Sequence, residues 1–181
     1  AAALGAKFPK AGGEAFIPTG GTLSQIAEVD CRPVQEALRG MNVQVMCDID
    51  NPLFGKTGAA AVFAPQKGAD EPMVERLDQG LRHLGQVTAQ CLGQDFSQLP
   101  GAGAAGGMGF GMRAFCGASL RMGIDLVLET VGFDQLLQDA ALVFTGEGKI
   151  DSQSVRGKVV SGVASHGKRA GVPVVAVVGQ I

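Results

Sequence analysis

The most regular hydrophobic pattern in the chain begins at Asp70. Met73, Leu77, Leu81, Leu84 and Cys91 recur at helical spacing through otherwise polar sequence, which predicts a helix with one apolar face. Asp70 suits the N-cap, Glu71 the positive end of the helix dipole, Pro72 the first turn and Gly93 the stop. His83 lies beside the stripe, toward its polar side, and reads as a surface or core-edge residue rather than a ligand.

The C-terminal region has a different pattern. Residues 141–145 and 172–178 are short apolar runs that predict buried strands. Between them, residues 157–170 predict a helix, with Lys168 and Arg169 in its last turn and Gly171 beyond it. Strand, loop, helix, strand is a βαβ crossover and implies a parallel pair.

Nearer the N-terminus, residues 12–21 form a loop or hairpin punctuated by Gly and Pro, and 22–27 a short helix capped by Thr22 or Ser24. Residues 43–48 predict a strand that ends in acids. Asp48 and Asp50 share a face if its alternation continues, and Asn51-Pro52 then signals a turn. Residues 57–63 predict an alanine-rich helix closed by Pro65, 110–122 a helix, 124–128 a strand and 133–140 a short helix. Alternating strands and helices of this kind specify an α/β protein with a parallel sheet.

Composition agrees with that class and narrows the function. Ala, Gly and Val dominate, aromatics are few, and neither Trp nor Tyr occurs. A net charge of -2, with no basic run beyond Lys168-Arg169, speaks against nucleic-acid binding. No apolar run approaches the roughly 20 residues needed to span a bilayer, so no membrane role is expected. Cys31, Cys47, Cys91 and Cys116 are scattered without zinc-ligand spacing and read as buried free thiols in a reducing cytoplasm. The ends predict a piece of a longer chain. Ala1 to Leu4 resembles a last helical turn with Gly5 as its cap, and the final strand stops where a βα loop would begin.

Three patterns invite a nucleotide reading. Gly55-Lys56-Thr57 resembles the end of a P-loop, but the position that needs the first glycine holds Asp50, which would repel phosphate. Gly101-x-Gly103-x-x-Gly106 fits a dinucleotide fingerprint literally, with Asp125 downstream. The fingerprint requires a strand directly before it, and residues 95–100 do not predict one. The glycines still expose backbone amides ahead of a helix, where an anion is favoured.

The third pattern is Thr145-Gly-Glu-Gly-Lys-Ile-Asp-Ser152, at the carboxyl end of the strand predicted over 141–145. Ligands of open α/β sheets bind at that end. Glu147 and Asp151 are candidates to hold Mg²⁺ or accept a hydroxyl proton, and Lys149 and Lys158 to neutralise phosphate charge. Phosphoryl transfer uses this combination of metal-binding carboxylates, cations and exposed amides.

Five collinear blocks then resemble the bacterial glycerate kinase family. They are Cys47-Asp-Ile-Asp-Asn-Pro-Leu53, Gly55-Lys-Thr-Gly-Ala59, Val62-Phe-Ala-Pro-Gln-Lys-Gly68, Gly103-Ala-Ala-Gly-Gly-Met-Gly109, and Thr145 to Gln153 with Gly157-Lys-Val159. The resemblance implies ATP- and Mg²⁺-dependent phosphorylation of D-glycerate to 2-phosphoglycerate. It implies a parallel-sheet, two-domain architecture, a Rossmann-like domain with a second α/β domain inserted, both incomplete here. Residues 1–138 would belong to the inserted domain and 139–181 to the Rossmann-like one, with the active site in the cleft between.

On this chain the implied roles are as follows. Asp151 or Glu147 binds the metal or orients the attacking hydroxyl, and Lys149 and Lys158 stabilise the transferring charge. Asp48, Asp50, Asn51 and Ser152 line the substrate side. The amides around Gly103, Gly106, Gly107 and Gly109 contact a phosphate or the glycerate carboxylate. The family's N-terminal Asp-Ser-Phe-Lys motif is absent, so the piece by itself is expected to be inactive without the remainder of the protein. A homo-oligomer is left open. The rival readings are a non-catalytic ligand-binding or regulatory module and an NAD-dependent dehydrogenase.

Overall fold

The computed structural model describes residues 1–149 and 159–180. The chain forms two compact units, Ala1–Leu120 and Arg121–Ile181. Helices and short strands alternate in both, giving the expected α/β class.

The first unit is organised by a 22-residue helix, which follows α1 (Arg32–Ala37), β1 (Gln44–Met46) and α2 (Ala59–Phe63). This helix, α3 (Glu71–Leu92), has the predicted boundaries. The Asp70 carboxylate accepts the Met73 N–H at 2.9 Å, and Gly93 ends the helix in the left-handed region. Replacing Asp70 with alanine leaves that amide without its cap. The expected cost is about 1 kcal/mol, read as a lower melting temperature. The buried stripe differs at its ends from the predicted one. Leu81 is buried, while Met73 and Cys91 are exposed and Val74 takes Met73's place against the core. His83 sits at the core edge as expected, Nε2 lying 2.7 Å from the Ile26 carbonyl.

The core gathers Phe8, Ile26, Val34, Leu53 and Leu81 around Phe110. Phe110 lies on α4 (Ala104–Cys116), which differs from the predicted helix in two ways. Its first residues are not helical, since Ala105, Gly106 and Gly107 are consecutive left-handed residues. It also stops at Gly117, because that glycine turns left-handed and the chain enters β2 (Ser119–Arg121), paired with β1. Two other expectations are corrected here. The helix predicted over 22–27 is a 3₁₀ helix, Gly20–Gln25, whose cap is Thr19 in a reciprocal box with Thr22. β1 ends at Met46, so Asp48 and Asp50 lie beyond it and strand alternation does not set their facing.

The second unit contains α5 (Gly123–Thr130), α6 (Phe133–Leu136), β3 (Val143–Glu147), α7 (Val159–Ala170) and β4 (Val174–Val178). The strand predicted over 124–128 is the helix α5. Its apolar run is too short for periodicity to separate the two, and Ile124 packs against α7, where a Cβ on Gly162 would lie 2.5 Å from its Cγ1. The predicted βαβ unit is present: β3 and β4 are parallel, from Val143 opposite Val174 to Glu147 opposite Val178. These strands are not buried on both faces. Within this chain α7 covers one side, and Phe144 is 68% exposed and Val177 64% on the other. His166 of α7 and Asp134 of α6 are joined, Nδ1 to Oδ1, at 2.6 Å.

Candidate functional site

Two groups of predicted residues occupy defined positions, one in each unit. In the first unit, the chain after β1 meets the glycine-rich turn. Gly103 N–H donates to the Asn51 carbonyl at 2.9 Å, and Phe110 N–H donates to the Ala102 carbonyl at 2.9 Å. Asn51 Nδ2 donates to the Thr57 carbonyl at 2.8 Å, so that nitrogen holds the following loop and Oδ1 is the end left for a ligand.

These bonds bring residues 46–49 close to Ala104, Ala105 and Gly106. The walls enclose a cavity of about 290 Å³ with Phe63, Gln66 and Lys67. Asp48 lines it. Asp48 and Asp50 are both exposed, and neither carboxylate makes a hydrogen bond or ion pair among the described residues. Cys47, beside Asp48, is buried; burial first, and the Asp48 charge second, push its thiol pKa up, so it stays protonated.

The predicted glycines divide into two kinds. Gly106 faces open space and lines the cavity, and Gly107 points toward Leu53 and Leu81. Gly103 and Gly109 are buried in backbone contacts. Ala105 is the telling residue of this turn. A non-glycine residue at φ 51, ψ 40 carries steric strain of about 1–2 kcal/mol. Strain of this kind collects where a backbone must present itself to a ligand. A second, more apolar cavity of about 300 Å³, lined by Leu23, Leu77, Leu81 and Leu84, shares Phe63, Lys67 and Gly106 with the first.

In the second unit, Glu147 ends β3, at the carboxyl end of a parallel strand. Its Oε2 is buried and has no hydrogen-bond partner among the described residues. A buried carboxylate oxygen without a donor is costly unless a cation or donor joins it. Lys149 follows on the exposed side of the same turn and has an interaction partner of its own. Asp151, Ser152 and Lys158 lie outside the described residues. No group of three or more His, Cys, Asp or Glu side chains forms a metal site among the described residues.

The look-alike motifs are explained by their contacts. Gly55 N–H donates to Asp78 Oδ1 at 2.6 Å, so the amide that a P-loop would offer phosphate is held by a carboxylate. Residues 95–100 form no strand before Gly101, so the dinucleotide fingerprint lacks its context. Lys67, Phe63 and Gln66 were not among the predicted site residues. All three lie in the 62–68 block of the family resemblance, which suggests no role by itself because a lysine before Gly68 at the end of a helical turn reads as a C-terminal dipole partner.

A family model described as the Glycerate kinase family matches residues 1–181. The chain belongs to the glycerate kinase family. It is 46% identical over 179 residues to a glycerate kinase of Bacillus subtilis (strain 168), covering 99% of this chain and 47% of that protein. It is 42% identical over 179 residues to the glycerate 2-kinase of Escherichia coli (strain K12), again covering 99% and 47%. A crystal structure assigned as glycerate kinase 2 from Salmonella typhimurium LT2 superposes with a TM-score of 0.84 at 45% identity. It covers 99% of this chain and 48% of that one. The chain spans about half the length of the curated relatives it matches. No helix among the described residues is long and apolar enough to cross a membrane.

Proposed function

We propose that the complete protein phosphorylates D-glycerate with ATP and Mg²⁺, giving 2-phosphoglycerate. The observation that carries this reading is Glu147: a buried carboxylate oxygen at the carboxyl end of a parallel strand, without a hydrogen-bond partner among the described residues, in a glycerate kinase family chain. The donor suits a hard cation. Mg²⁺ is held by one or two carboxylates together with substrate phosphates, rather than by an all-protein cage. Glu147 or Asp151 is the residue that would hold it, and bound there it would neutralise charge on the phosphates.

The rest of the chemistry falls to the chain's own groups. Lys149 and Lys158 offset negative charge on the transferring phosphoryl group. Whichever of Glu147 and Asp151 does not hold the metal orients the attacking hydroxyl. In the first unit, Asp48 accepts a hydrogen bond from a glycerate hydroxyl, and the left-handed turn presents the Ala105 backbone to the substrate, the Gly106 N–H being held by the Gly103 carbonyl at 3.1 Å. Asp50, Asn51 and Ser152 complete the substrate side. Residues 1–138 are assigned to an inserted α/β domain and 139–181 to a Rossmann-like one, with the remainder of the protein supplying the rest. The four free cysteines suit a cytoplasmic enzyme.

The test is a coupled assay on the complete protein with ATP, Mg²⁺ and D-glycerate, the product being identified by phosphorus NMR. Turnover that needs all three and yields the 2-phosphate is expected. Residues 1–181 alone are expected to give none. A complete protein that binds glycerate without transferring phosphate would replace the kinase reading with a binding module.

A further inference from the structure

The cavity beside Asp48 carries two formal charges, Asp48 and Lys67, and they do not pair. Among the described residues, neither side chain forms a hydrogen bond or ion pair with any group. Lys67 ends the 3₁₀ turn Pro65–Lys67, and Gly68 then turns the chain away in the left-handed region. The backbone turn at Ala105 and Gly106 lines the same cavity, and the space beyond Gly106 is open. One wall therefore offers an ammonium, another a carboxylate, and a third strained backbone.

That arrangement complements a small molecule with an anionic end and a hydroxyl end. A polyphosphate fits it poorly. The volume of about 290 Å³ is at the lower limit of ordinary ligand pockets, and Asp48 would repel several phosphate charges. A three-carbon hydroxy acid fits both in size and in charge. Lysine is a compact point charge on a flexible stem, suited to holding one carboxylate whose exact tilt is fixed by other groups.

We propose that Lys67 is the anchor for the substrate carboxylate, its ammonium binding the glycerate carboxylate while Asp48 takes a hydroxyl of the same molecule. This rests on the glycerate reading above and assigns the acceptor's acid group to one residue. The phosphate chain of the nucleotide does not contact Lys67.

The experiment compares complete wild-type protein with Lys67→Gln and Lys67→Arg. Lys67→Gln is expected to raise KM for D-glycerate roughly 10- to 100-fold, the loss of one charge-assisted hydrogen bond. KM for ATP and the melting temperature should not move, and Lys67→Arg should recover part of the loss. Glyceramide, which lacks the carboxylate, should be used equally by wild type and Lys67→Gln. An unchanged glycerate KM, or a rise confined to ATP, overturns the assignment. If the wild type transfers no phosphate, the kinase reading has failed, and calorimetric titration with D-glycerate then tests Lys67 separately. Binding to wild type but not to Lys67→Gln supports the anchor, whereas equal binding, or none to wild type, overturns it.

Discussion

Glu147→Gln in the complete protein should lower kcat for glycerate phosphorylation by about 10²–10³-fold, the typical effect of removing one preorganised electrostatic partner of a reacting group. The substitution keeps the shape of the side chain and removes its charge. Its effect on the fold should be small or favourable. Glu147 Oε2 is buried with no donor among the described residues, and a neutral amide is cheaper to bury than an unpaired carboxylate. The two readouts should therefore diverge, with activity falling while the melting temperature holds or rises. That divergence marks a residue kept for chemistry at the expense of stability. A kcat within about twofold of wild type would remove Glu147 from the site. A fall in both activity and melting temperature would make it a structural residue.

Gly109→Ala should be the most damaging small substitution in the first unit. A Cβ at Gly109 would stand 2.0 Å from the Gly101 carbonyl oxygen. That oxygen cannot simply retreat, because it accepts the Ala104 N–H at 3.0 Å. The next residue, Phe110, is 1% exposed and stacks edge-on against Phe115 at 6.1 Å between ring centroids. Moving the helix to admit a methyl group would displace this ring from the core. A loss of about 3 kcal/mol or more is expected in urea unfolding, at the upper end of overpacking effects. Gly106→Ala is the control. Its Cβ meets open space, and only the left-handed φ of 75° is penalised, at about 1–2 kcal/mol. Equal losses for the two would mean that conformation, and not the close approach, governs this turn.

The parts of the fold legible in the sequence are those whose determinants lie within one or two turns. Asp70, the apolar residues of α3 and Gly93 mark that helix because cap, face and stop are local interactions. The β3–α7–β4 unit was equally legible, since two apolar runs flank an amphipathic segment and only one pairing satisfies them. α5 was misread because Ile124, Leu126, Val127 and Leu128 serve either structure, and packing against Gly162 decides between them. α4 was placed too far toward its C-terminus. Nothing in an alanine- and glycine-rich string announces that Ala105 joins Gly106 and Gly107 in the left-handed region.

For the proposed site, the sequence by itself supplied the candidates, Asp48, the glycine turn, Glu147 and Lys149, and determined the family to which the chain belongs. These are matters of residue type and order, which a linear pattern carries. The tertiary structure alone decided which of them share a cavity. It placed Asp48 with Lys67 and Gly106, gave Gly103 and Gly109 to packing, and left one Glu147 oxygen buried without a donor among the described residues. The cavity walls come from residues 46–49, 63–67 and 104–106. The non-local bond from the Gly103 N–H to the Asn51 carbonyl, with the core behind it, draws the first and last of those segments together.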